Sequence, residues 1–329
     1  MRRPRDDAGG GLPGVCSGGD GGGCGPPVIW AAGELEQAMD RTTDREAEAL
    51  CAPICVTCGT QFPPAEKPPE HCPICEDDRQ YVHPDGQRWT TLAEMRGQFR
   101  NRFTELESGL TSIVTEPAFA IGQRAYLVQT ARGNLLWETL TQVDEETVAE
   151  IARLGGVDAI AISHPHYYAT MGEWSRLFGD VPIYLHADNR PWVMYPSSAV
   201  QFWEGETVEV LPGLTVVRCG GHFPGASVLH WPEGAERRGV LLTGDTIQIV
   251  RDRRWVTFMY SYPNSIPLDA GAVRRIAAAV EPYAFERLYG AFQDEPVVDA
   301  KDAVRRSGER YIRHISGDAG HEVPPQARG

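Results

Sequence analysis

What this 329-residue chain lacks sets limits on what it does. No apolar run approaches the roughly 20 residues that a bilayer-spanning helix needs. The opening MRRPRDD, followed by AGGGLPGVCSGGDGGGCGPP, has neither the apolar stretch nor the small-residue cleavage site of a secretory leader. The expectation is a cytoplasmic protein without a membrane partner. Positive charge is also in short supply: 31 Lys and Arg stand against 45 Asp and Glu, a formal net charge of -14. The basic footprint that nucleic-acid binding requires is therefore missing, and no nucleic-acid partner is expected. No short-period repeat and no flavin-binding domain can be read. What remains, 42% hydrophobic residues over this length, suits one large domain with a substantial core and a small appendage.

Of the 8 cysteines, Cys55, Cys58, Cys72 and Cys75 form two C-x-x-C pairs in CVTCGTQFPPAEKPPEHCPICEDD. In a reducing compartment such pairs point to a metal rather than to disulfides. Each knuckle presents two sulfurs, so two of them complete a tetrathiolate site, and the short proline-rich loop between them fits a zinc ribbon. The bland alternative is four free thiols in a linker. A metal would supply folding free energy that a core of about thirty residues cannot. The C-G after the first pair and the C-P of the second also resemble rubredoxin-type iron modules, so iron is the alternative ion. Zinc is favoured because nothing else in the chain marks a redox enzyme. Without basic residues around it, the ribbon suits protein contact or packing against its neighbour. Cys16, Cys24, Cys51 and Cys219 read as bystanders.

Composition shifts divide the chain into a Gly-rich, mostly disordered extension (1–50), the ribbon (51–80), a connector with a short helix (81–109), a large α/β domain (110–315) and a loose tail (316–329). Strand candidates rich in Val, Ile and Leu are AYLVQT, NLLWETL, VDAIAIS, VPIYLHA, ETVEVL, LTVVRCG, ASVLHWP, GVLLTGD and ERLYGAF. Helix-period segments alternate with them, notably DEETVAEIARLG, MGEWSRLFG, LDAGAVRRIAAAVEPY and PVVDAKDAVRRSGERYIRHI.

Three strand ends carry chemistry. His164 and His166 follow VDAIAIS, and residues two apart on extended chain point to one side, so both imidazoles reach one ion. In RCGGHFPGAS, two glycines permit a tight turn that presents His222. GVLLTGDTIQI ends a strand at Asp245. Taken singly, these are a two-histidine surface loop, a satisfied loop histidine and a turn-forming acid. Their order and shared placement at strand ends argue for a common site.

This order of motifs resembles the metallo-β-lactamase superfamily, including its glyoxalase-II-like thioesterases, over roughly residues 110 to 315. The resemblance implies an αβ/βα sandwich with a metal site at one edge of two facing sheets. It also marks departures. Where the family has H-x-H-x-D-H, this chain has Tyr168 for the aspartate and Ala169 for the last histidine. The late family histidine should fall in ERLYGAFQDE, which has none; Phe292 or a neighbour stands there. All the missing groups belong to one ion of a pair, which leaves a single-metal centre of His164, His166, His222 and Asp245.

Zinc in that set lowers the pKa of a bound water to about 7 and polarises a carbonyl, which suits a small-molecule ester, thioester or lactone substrate, with Asp245 as a catalytic ligand. Ferrous iron also fits, and single-iron persulfide dioxygenases of the superfamily give that alternative. A third reading is a non-catalytic, metal-stabilised scaffold that docks through its ribbon. Tyr167 and Tyr168 either stabilise an oxyanion as hydrogen-bond donors or pack in the vacated space. The aromatic segment RDRRWVTFMYSYPNSIP reads as core, as a homodimer contact or as a substrate wall, and DNRPWVMYPSSAVQFWEG as a lid or wall.

Overall fold

A computed structural model describes residues 50–292 and 295–318. The expected extension, with Cys16 and Cys24, and most of the expected tail lie outside the described residues.

Seven strands form the first sheet in sequence order: β1 (Arg100–Glu107), β2 (Leu110–Glu116), β3 (Arg124–Thr130), β4 (Gly133–Trp137), β5 (Ala159–Ala161), β6 (Ile183–His186) and β7 (Val200–Trp203). The first four pair antiparallel, and β4 through β7 pair parallel. The second sheet orders β8 (Thr207–Leu211), β9 (Leu214–Arg218), β10 (Ser227–Trp231), β11 (Val240–Leu242), β12 (Arg287–Tyr289) and β13 (Val297–Val298), with β11 and β12 parallel.

Period-two alternation explains how the sheets stack. In β3, Tyr126 and Val128 enter the core between the sheets, whereas Ala125 and Leu127 point to the outer face. In the second sheet, Val216, Leu229 and Leu242 meet them from across the gap, while Val217, Val228 and Leu241 point outward. Both faces are covered, which is why these strands read as near-continuous apolar runs. Helices α1 (Glu145–Arg153) and α2 (Met171–Leu177) cover the first sheet through Ile151, Met171 and Trp174. Helices α3 (Ala270–Val280) and α4 (Ala300–Ile315) cover the second through Val273, Ile276, Val280 and Val304. Each fully buried aliphatic side chain contributes about 1.5–3 kcal/mol before entropy is counted. Asp144 caps α1 by accepting from the Thr147 amide at 2.8 Å, which sets where that helix begins. The result is the αβ/βα four-layer sandwich.

Two local expectations change. The domain boundary expected at 110 falls inside a hairpin: Arg100–Glu107 pairs residue by residue with Leu110–Glu116, so the first sheet starts at 100. As a half-exposed edge strand, RNRFTELE shows too little apolar character to stand out. The strand expected across NLLWETL stops at Trp137 because Glu138 takes a left-handed φ of 67°, which turns its side chain inward.

The cysteine segment packs on the outer face of the first sheet. Ile54 and Cys55 pair antiparallel with Thr90 and Trp89, and Ile54 joins Leu92 and Met95 in the outer core of that sheet.

Candidate metal centres

The four predicted groups converge. One donor atom from each of His164, His166, His222 and Asp245 lies within 4.8 Å of the others. His164 Nε2 stands 3.1 Å from Asp245 Oδ1, His222 Nε2 stands 3.2 Å from His166 Nδ1, and His222 Nε2 stands 3.9 Å from Asp245 Oδ1. Ligand bonds of about 2.0–2.2 Å give tetrahedron edges of about 3.3–3.6 Å, so this spacing brackets a single ion.

Local chain geometry produces the convergence. His164 leaves β5 with extended backbone, and Pro165 opens a 3-10 turn over Pro165–Tyr167 that brings His166 back beside it. His222 sits after Gly220 and Gly221, whose φ values of 70° and 81° make the turn. A Cβ on Gly221 would stand 2.8 Å from Ile276 and 3.0 Å from Leu268. Gly244, at φ 55°, passes so close to Ser163, Tyr167 and Glu138 that a Cβ would lie about 3 Å from each. Only glycine lets β11 deliver Asp245 there.

Hydrogen bonds fix which nitrogens are free. His222 Nδ1 faces the Met259 carbonyl at 3.2 Å, which only accepts, so Nδ1 carries the proton and Nε2 keeps its lone pair. His164 Nδ1 is 2.8 Å from Ser163 Oγ, which leaves Nε2 for the ion. Despite their closeness, His164 Nε2 and Asp245 Oδ1 form no aligned hydrogen bond and have no other partner. They aim at a shared point rather than at each other.

Electrostatics agree. Burial, with the positive charge of Arg79 nearby, pushes His164 and His166 well below the usual histidine range, so both are neutral and ligand-competent. Burial pushes Asp245 up. A buried carboxylate beside two neutral imidazoles is costly without a cation, and the donor set fits one.

Glu138 lies behind this layer. It accepts from the Ser163 amide at 3.0 Å, and burial, reinforced by Asp245, raises its pKa to about 8. Tyr167 packs its ring 4.4 Å from His164, with its hydroxyl beside Asp245. Burial and these carboxyl groups hold that hydroxyl neutral. The Tyr168 hydroxyl lies beside Asn189 instead. Neither hydroxyl has a hydrogen bond of good geometry. Both tyrosines pack with Ala291 in one core cluster, flanked by Phe292. Bulky, largely apolar side chains thus fill the space beside the four donors.

The centre is closed. His164, His166, His222 and Asp245 are 0%, 3%, 1% and 5% exposed. Phe223 stacks on His164 at 5.5 Å and meets Trp192 at 5.5 Å. The aromatic segment divides: Phe258 packs in the outer core near Tyr311 of α4, while Tyr262 faces His222 at 5.9 Å and donates to the Asp245 carbonyl at 2.8 Å. Sequence reasoning missed Glu138, Phe223 and Arg79.

Cys55, Cys58, Cys72 and Cys75 also converge, all buried. Sγ separations of 3.5 Å (Cys55–Cys75) and 3.6 Å (Cys58–Cys72) are far too long for disulfides and close to the edge of a tetrahedron with about 2.3 Å bonds. Hydrogen bonds from the other three thiols drive Cys55 towards thiolate. Cys51 is an exposed free thiol and Cys219 a buried one.

No family model matches the chain. It is 51% identical over 270 residues to the uncharacterized protein YmaE of Bacillus subtilis (strain 168), an alignment covering 82% of this chain and 98% of that protein. Among solved structures it resembles DIM-1 metallo-beta-lactamase with a TM-score of 0.51 and 13% identity, covering 65% of this chain and 98% of that one. It also resembles VMB-1, with a TM-score of 0.50 and 12% identity over 66% of this chain and 98% of that one. The facing sheets and the outer helices account for that likeness: the chain belongs to the family of YmaE and has the metallo-β-lactamase fold.

Proposed function

We propose that the protein is a mononuclear metal-dependent hydrolase acting on a small ester, thioester or lactone-like molecule, with a tetrathiolate zinc ribbon as a structural module. One observation carries this reading: three imidazoles and one carboxylate converge on a point at the sheet edge, with His164 Nε2 and Asp245 Oδ1 left without a hydrogen-bond partner, while Tyr167 and Tyr168 fill the adjoining space. A zinc ion bound there would supply Lewis acidity and an activated water.

The chain's own groups do the rest. Ser163 and the Met259 carbonyl orient His164 and His222. Tyr167, neutral at physiological pH, is a donor positioned beside Asp245 and serves an anion developing on the substrate rather than acting as a base. Tyr168, beside Asn189, is assigned to packing. Because the four donor residues are buried, the Phe223 and Trp192 side of the site moves before substrate enters.

The test is metal analysis of the full chain together with hydrolysis of an ester, thioester and lactone panel. The expected result is two zinc per chain and turnover that disappears in His222→Ala. Iron at the histidine centre with persulfide oxidation would replace this reading with the dioxygenase one. A zinc-loaded protein inert to every substrate would favour the scaffold.

A further inference from the structure

The two ligand clusters are joined by one side chain. Arg79 lies four residues after Cys75 and is buried. Its guanidinium grips Asp77 in a fork, Nε to Oδ1 at 2.5 Å and Nη2 to Oδ2 at 2.8 Å, and its remaining nitrogen, Nη1, donates to the His222 carbonyl at 3.3 Å. The same guanidinium lies over Phe223 at 4.0 Å, with Trp192 at 5.1 Å and Tyr260 at 5.3 Å. Further contacts tie the ribbon to the loops around the site. The Gln61 amide donates to the Ala169 carbonyl, Thr141 Oγ1 donates to the Gly59 carbonyl, and Asn264 Nδ2 donates to the carbonyls of Asp78 and Gln80.

We infer that the ribbon braces the loop that carries His222, and that Arg79 is a positioning residue through which occupancy of the tetrathiolate site sets metal affinity at His164, His166, His222 and Asp245. The fork to Asp77 fixes the plane of the Arg79 guanidinium and turns Nη1 towards the backbone that presents His222. Asp77 in turn follows the second knuckle directly, where the Cys75 and Glu76 amides bond to the Cys72 carbonyl. An ordered knuckle fixes Asp77, Asp77 fixes Arg79, and Arg79 fixes the His222 turn and its Phe223 cover. An empty or oxidised thiolate site releases this chain of contacts. By linkage, an ion at the histidine centre strengthens the thiolate site by the same factor.

This inference rests on the metal-binding reading above, and cobalt(II) titration of the full-length, metal-free protein separates the two. Cobalt in four thiolates gives an intense charge-transfer absorption, whereas cobalt held by imidazole and carboxylate gives only weak ligand-field bands, so each site reports by itself. In Arg79→Ala we expect the thiolate band to saturate as in wild type while histidine-site affinity falls about 10–100-fold, the range for removing an outer-shell partner. In Arg79→Lys, which keeps the charge but loses the fork, the fall is smaller, and this variant stands in if Arg79→Ala does not fold. Capping the cysteines of wild type with a small thiol-specific reagent should weaken the histidine site by at least as much as Arg79→Ala. Histidine-site affinities within twofold of wild type in Arg79→Lys and in the capped protein would overturn the coupling alone. Absence of any histidine-site cobalt in wild type would reject the metal reading and the coupling with it.

Discussion

The two ligand clusters solve one problem in opposite ways. The thiolate cluster spans residues 55 to 75, and its four sulfurs meet because two tight turns face each other. The histidine cluster spans residues 164 to 245 and draws on β5, the turn after β9 and the end of β11, which lie in different sheets. In the first, a bound ion would organise the chain. In the second, the folded sandwich organises the donors, and a bound ion would relieve a buried carboxylate. Local sites should therefore lose structure with their ion, and non-local ones should lose only the ion.

The largest effect that would break this contrast concerns Cys72→Ser. Structural zinc in short modules is worth about 10–16 kcal/mol in apparent binding free energy. The variant should lose the thiolate ion and become cleavable within residues 51–80, with the sandwich still cooperatively folded, as read by limited proteolysis with mass analysis. Melting of both regions together would erase the distinction. Next, His222→Ala should lose one metal equivalent and keep the ribbon metal, with a drop in histidine-site affinity beyond the roughly 10–100-fold typical of outer-shell changes. Far-ultraviolet circular dichroism should stay unchanged.

A third prediction sharpens the comparison through acid–base behaviour that belongs to the non-local centre. Glu138 binds its proton more tightly in the folded protein, near pH 8, than in the unfolded chain, near pH 4.5. That stability is fully present below pH 4.5 and is lost as pH rises towards 8. Metal-free protein should weaken over this window by up to about 4 kcal/mol, and Glu138→Gln should flatten the slope in urea denaturation. The smallest effect is steric. Gly221→Ala forces a Cβ against Ile276 at a left-handed position and should cost about 1–3 kcal/mol, read by thermal melts, while shifting the His222 turn.

The contrast also explains what could be read from residues alone. Spacing within a knuckle is a one-dimensional signal, so Cys55, Cys58, Cys72 and Cys75 were visible at once. His164, His166, His222 and Asp245 were visible because each follows an apolar strand, and strand ends are shared by the fold. Arg79 was not, because EDDRQ reads as a solvated charged run, and only tertiary contact with Phe223 and the His222 carbonyl shows it to be buried. Glu138 was hidden inside an apolar stretch, where a reversal of φ rather than any composition cue aims it inward. Strand β1 escaped notice for the converse reason: it is an edge strand whose outer side chains are polar.

The near-complete burial of all four donors at the histidine centre bears on how the protein acquires its metal in a cell. With the donors so little exposed, uptake and loss of an ion there require a local opening, so both should be slow even where affinity is high.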